Sequence, residues 1–119
     1  MTTDQVSGDL HIDGGAGSNS LTINDRNNTE GRTLVITENG ISGFGTSLGS
    51  VTITYEPVSG FTSGFDVLLG SGNDDVTVLS TNRQVTTNIY LGGGDDLLTL
   101  TGNGGPVIGY GEDGNDTMD

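Results

Sequence analysis

Short runs of β-branched and large apolar residues, each broken by glycine, asparagine or aspartate, recur along the chain. Leu21 to Ile23, Thr33 to Thr37, Val51 to Tyr55, Phe65 to Leu69, Val76 to Leu79, Thr87 to Leu91, Leu97 to Leu100 and Val107 to Tyr110 read as strands. Several alternate an apolar residue with threonine, as in Val51-Thr52-Ile53-Thr54-Tyr55 and Leu98-Thr99-Leu100-Thr101. That period of two turns the apolar set toward a core and the hydroxyls toward water. Helix is excluded, because no window of eleven residues keeps apolar spacing of three and four without a glycine break.

The segments between strands repeat. Four share a pattern: Gly14-Gly-Ala-Gly-Ser-Asn-Ser-Leu21, Leu69-Gly-Ser-Gly-Asn-Asp-Asp-Val76, Leu91-Gly-Gly-Gly-Asp-Asp-Leu-Leu98 and Gly111-Glu-Asp-Gly-Asn-Asp-Thr-Met118. The last three begin 22 and then 20 residues apart, a period that suits one solenoid coil of two or three short strands. Asp74, Asp96 and Asp116 then stack. The first turn lies 55 residues before the second, so residues 24 to 68 must hold an irregular coil. The stretches Gly40 to Gly49 and Glu56 to Gly64 are where an extra side or insertion is expected.

Composition narrows the chemistry. With 22 glycines, six aromatics and no tryptophan in 119 residues, only a thin core of stacked strands is available. Sixteen acidic side chains face Arg26, Arg32 and Arg83, with a net charge of −13, so nucleic acid is a poor partner. Such a chain is disordered by self-repulsion or neutralised by bound cations. There is no cysteine for a disulfide or thiolate site. No apolar run approaches a membrane span, and the first twenty residues lack the basic and apolar regions of a cleavable signal.

The Gly/Asp turns resemble the haemolysin-type, or RTX, calcium-binding nonapeptide G-G-x-G-x-D-x-U-x, where U is a large apolar residue. None is a perfect copy. The first has Asn19 for the aspartate, the second and third have Leu69 and Leu91 for the leading glycine, and the fourth has Glu112 for the second. The resemblance is specific from Leu69 to Met118. Glycine permits turns that aim main-chain carbonyls at one point, and aspartate adds a hard anionic oxygen, a donor set suited to Ca2+. Val76, Leu98 and Met118, two places beyond each aspartate, anchor the turns to the core.

Stacked carboxylates about 4.8 Å apart repel by roughly 1 kcal/mol in water and roughly 3.5 at an effective dielectric of 20; a cation between them reverses the sign. In the RTX family the ion lies between successive turns. Carried over by motif position, the resemblance implies one site between the turns of Asp74 and Asp96 and another between those of Asp96 and Asp116. Main-chain carbonyls at Leu69, Ser71, Leu91, Gly93, Gly111 and Asp113 would contribute. Asp75 and Asp95 flank the ligands as outer groups, and Asn19 offers only a neutral oxygen.

Competing readings are weaker on the residues. His11, between Leu10 and Ile12, has no second histidine or cysteine to complete a zinc site. The acids repeat in turns, whereas a glycosidase needs a unique pair, and three arginines leave little to stabilise an anionic intermediate. The chain is therefore read as not an enzyme. The threonine pairs at 52 and 54, 86 and 87, and 99 and 101 suggest an ice-binding ladder, but in sequence they do not recur at one place in each repeat.

The resulting expectation is all-β: one right-handed parallel β-roll or β-helix of about four to five coils spanning residues 1–119. Degenerate coils occupy 1–68 and calcium-binding coils 69–119. Because the last motif stops at Asp119 without a cap, a larger parent chain is expected to supply neighbouring coils. By resemblance, the function is a calcium-binding structural repeat of a secreted or cell-surface bacterial-type protein, folding or stiffening on Ca2+. The alternative is an adhesive module contacting ice or a cell-surface glycan, with calcium only structural. Neither nucleic acid binding nor membrane insertion is expected.

Overall fold

A computed structural model describes residues 8–44, 51–55 and 61–119. Eleven strands are formed and no helix occurs among the described residues: β1 Leu10–Ile12, β2 Ser20–Asn24, β3 Thr33–Thr37, β4 Gly40–Phe44, β5 Val51–Tyr55, β6 Gly64–Leu68, β7 Asp75–Val78, β8 Thr87–Tyr90, β9 Leu97–Leu100, β10 Val107–Tyr110 and β11 Thr117–Met118. They make two sheets. The first runs β1-β5-β4-β3-β7-β9-β11 and the second β10-β8-β6-β2.

From β6 onward the chain alternates between the sheets, and each strand pairs in parallel with its successor in the same sheet. The pairing matches the 22- and 20-residue periods: Asp75 lies opposite Leu97, and Leu97 opposite Thr117. The first half differs. Strands β3, β4 and β5 form an antiparallel meander inserted between β1 and β7. The irregularity expected over residues 24 to 68 is thus, in part, a pair of reversals. Strand β4 had not been anticipated. Thr37 faces Gly40 across a two-residue turn, and the Thr37 hydroxyl accepts from the Asn39 amide at 3.3 Å and donates to the Gly40 carbonyl at 3.2 Å. The rest of the expected insertion, at 45–50 and 56–60, lies outside the described residues, as do residues 1–7.

Alternation sets the core. Leu34, Ile36, Val76, Val78 and Ile89 point inward and are fully buried, as are Ile53 and Val51 to within a few per cent. The large rings gather at the meander end, where Phe44, Tyr55, Phe61 and Phe65 are buried and the Tyr55 and Phe65 centroids lie 4.9 Å apart. The repeat end is filled by Val67, Leu69, Val76, Val78, Ile89 and Leu91. There Leu98 is inward, but Leu100, expected to follow it, is 42% exposed.

On the outer face of the first sheet, pairing brings Thr52, Ser42, Val35, Thr77 and Thr99 opposite one another on five adjacent strands. This row is invisible in linear sequence, because β4 runs the other way and the row crosses strands of unequal spacing.

Candidate metal centre

Four segments carry the chain from the second sheet to the first along one edge: 25–32 between β2 and β3, 69–74 between β6 and β7, 91–96 between β8 and β9, and 111–116 between β10 and β11. Main-chain bonds tie neighbouring turns together. The Ser71 amide donates to the Asn28 carbonyl at 2.9 Å, Gly93 to Gly70 at 2.8 Å, Asp113 to Gly92 at 2.9 Å and Gly94 to Asp113 at 2.9 Å. The turns pack so tightly that side chains are excluded at key points. A Cβ on Gly92, whose φ is +98°, would stand 1.9 Å from the Gly70 carbonyl oxygen, which no substitution can tolerate without moving backbone. Glu112 holds the corresponding place in the next turn with φ 69°.

The three aspartates form a column. Arg32 N–H donates to Asp74 Oδ1 at 2.6 Å, Asp74 N–H to Asp96 Oδ1 at 2.7 Å, and Asp96 N–H to Asp116 Oδ1 at 3.2 Å. One oxygen of each carboxylate thus accepts the amide of the preceding turn. The other oxygen of Asp74 and of Asp96 is buried and finds no hydrogen-bond partner among the described residues, and the two residues are only 2% and 3% exposed. Burial pushes the Asp74 carboxyl up to about 6, with Asp96 and Asp25 adding to the rise and the Arg32 amide and charge opposing it. Burial likewise raises Asp96, helped by the charges of Asp116 and Asp95 and opposed by the Asp74 amide. A carboxylate oxygen so placed calls for a partner, which a proton, an ordered water or a cation can supply.

The six other expected positions lie in the same turns. Carbonyls of Leu69, Ser71, Leu91, Gly93 and Gly111 accept no main-chain hydrogen bond from the described residues, whereas that of Asp113 already accepts from Gly94. Carbonyl and carboxylate oxygens are the hard donors that suit calcium. Three or more acidic, histidine or cysteine side chains do not converge on one point anywhere among the described residues, so any ion here would draw on carbonyls as well as on the column.

The flanking acids take other places. Asp95 joins a second, exposed column in which its amide donates to Asn73 Oδ1 at 3.0 Å and its own Oδ1 accepts from the Asn115 amide at 3.0 Å. Asp75 opens β7 and is exposed.

The Gly14 to Leu21 turn does not join the site. It leads from β1 in the first sheet to β2 in the second, the reverse of the other three crossings, and Asn19 closes its own loop by donating to the Gly14 carbonyl at 2.7 Å. The turn that does continue the column, 25–32, escaped the motif because Arg32 stands where the later turns have aspartate. Its signal was the strand after it: Thr33 pairs with Asp75, so the residue before each is equivalent. His11 is exposed, its Nδ1 lying 2.9 Å from the Thr54 hydroxyl.

No protein-family model, curated protein or solved structure matches the chain.

Proposed function

We propose that the chain is a calcium-binding structural repeat module, in which residues 64–119 form coils of a parallel β-roll and Ca2+ stabilises the turn edge. The reading rests on one observation above all: Asp74 and Asp96 are buried in an aligned column, each with a carboxylate oxygen that has no hydrogen-bond partner among the described residues. Asp74 and Asp96, with the carbonyls of Leu69, Ser71, Leu91 and Gly93, would hold one ion. Asp96 and Asp116, with those of Gly111 and Asp113, would hold the next. The ion supplies charge neutralisation and fixes the turns; no bond is made or broken. On a chain of net charge −13, cation uptake is coupled to compaction. Such a module suits a secreted or cell-surface protein, where calcium is plentiful, and it has no catalytic role.

A titration of chelator-stripped protein with calcium, followed by far-ultraviolet circular dichroism, tests the reading. Saturable growth of β signal is expected, with Asp96→Ala blunting it most because its turn borders both gaps. An identical spectrum and melting curve with and without calcium would remove the proposal.

The outer face of the first sheet favours a second reading, an adhesive module in which calcium is structural. The row Thr52, Ser42, Val35, Thr77 and Thr99 carries no charge. Its threonine and serine hydroxyls make no hydrogen bond to described residues and are open to an ordered polar surface such as ice or a glycan. Loss of ice-growth inhibition or glycan retention in Thr77→Asp, with calcium uptake unchanged, would support that role.

A further inference from the structure

We infer that the Arg32 guanidinium is a built-in cation at the first rung of the acidic column, leaving metal to the two gaps beyond it, between the turns of Asp74 and Asp96 and of Asp96 and Asp116. The inference rests on the calcium reading and says which part of the edge needs the ion.

Pairing of Thr33 with Asp75 and of Asp75 with Leu97 puts Arg32, Asp74 and Asp96 at equivalent places in successive turns. Arg32 therefore sits where the later turns have an aspartate, and it is 6% exposed. Its partner is equally out of pattern. The amides of Asp25, Leu69 and Leu91 make the same bond to the strand beside them, to Leu68, Tyr90 and Tyr110, and all three side chains are fully buried. An acid thus replaces a core leucine in the first turn alone. Arg32 Nε lies 3.0 Å from Asp25 Oδ2, and Asn28 Nδ2 donates to the same oxygen at 3.0 Å.

The two exchanges are complementary. A buried carboxylate without a counter-charge is strongly unfavourable; here the chain carries its own. The contrast lies in the next two turns, where Oδ2 of Asp74 and of Asp96 finds no donor among the described residues. Arg32 also presents its amide and positive charge to Asp74, so a divalent ion between the turns of Arg32 and Asp74 would meet a fixed cation instead of a second carboxylate. The first turn is thereby ordered without metal, and the later turns are ordered on it.

Amide hydrogen exchange on the intact chain, in calcium and in chelator, tests this. The Asn28 amide, bonded to the Asp25 carbonyl, reports the first turn; Gly93 and Asp113, bonded to Gly70 and Gly92, report the later ones. Chelator is expected to speed exchange at Gly93 and Asp113 by about tenfold more than at Asn28. An equal acceleration at Asn28 would overturn the inference while leaving the calcium reading in place; no acceleration at any of the three removes the calcium reading, and the inference with it. Native mass spectrometry should count one ion per later gap, and a third ion would also overturn it. Arg32→Gln should deprotect Asn28 even in calcium. If that variant fails to fold, the wild-type comparison still decides.

Discussion

The two ends of the molecule are held together differently. At the meander end, β3, β4 and β5 turn back on one another and enclose the large rings of Phe44, Tyr55, Phe61 and Phe65. At the repeat end the core is narrow and aliphatic, the outermost strand β11 has two residues, and Leu100 and Met118 are 42% and 50% exposed. Along the turn edge of this end runs the carboxylate column. Hydrophobic burial works in any buffer. A column of buried acids responds to protons and cations, so on the calcium proposal one small chain would combine an ion-indifferent half with an ion-dependent one.

The sharpest way to separate the halves is to damage each in turn. Phe44→Ala removes a fully buried ring and should cost about 3–5 kcal/mol. The loss should be the same in calcium and in chelator, as read by urea unfolding. Asp96→Asn should behave oppositely in the two buffers. In calcium it would remove a ligand of the proposed ion and is expected to destabilise by about 1–3 kcal/mol. In chelator near neutral pH it removes a buried, half-satisfied charge and should raise the melting temperature. A loss of equal size in both would mean that the column is no more than a hydrogen-bonded ladder.

Acidity probes the same edge with a smaller effect. The Asp74 carboxyl lies at about 6 against its ordinary 3.8, so it binds its proton more tightly folded than unfolded. Its stabilising contribution is complete below 3.8 and is lost as pH rises through about 6. Metal-free protein should therefore lose urea resistance across that window, Asp74→Asn should flatten the loss, and calcium should restore stability above it. The smallest change expected is at Glu112, which joins Arg26 in a surface ion pair at 2.7 Å while holding φ at 69°. In Glu112→Gly the relieved backbone offsets the lost pair, and unfolding should shift by less than about 1 kcal/mol either way.

Much of this was legible before the fold was seen. Alternation in Val51 to Tyr55 and the 22- and 20-residue spacing located the strands, their register and the alignment of Asp74, Asp96 and Asp116. Four features were not legible, each for a physical reason. Gly/Asx turn chemistry is the same on either edge of a sheet, so Gly14 to Leu21 matched the motif while facing the other way. Strand β4 contains Gly40 and Gly43 and reads as loop by composition; only pairing with both neighbours makes it a strand. Arg32 was hidden because a motif built on aspartate cannot recognise the residue that replaces aspartate by opposite charge. Leu100 looked like core because alternation says which face a residue takes, and nothing about whether a strand lies opposite.

Calorimetric titration of calcium into the metal-free chain at pH 6 bears most directly on the column. Saturable binding is expected, with proton release, because Asp74 is half protonated near pH 6 and must shed its proton to bind the ion. Asp96→Asn should abolish most of the heat. Binding that is absent, or equally strong in Asp96→Asn, would contradict a calcium site built on these aspartates.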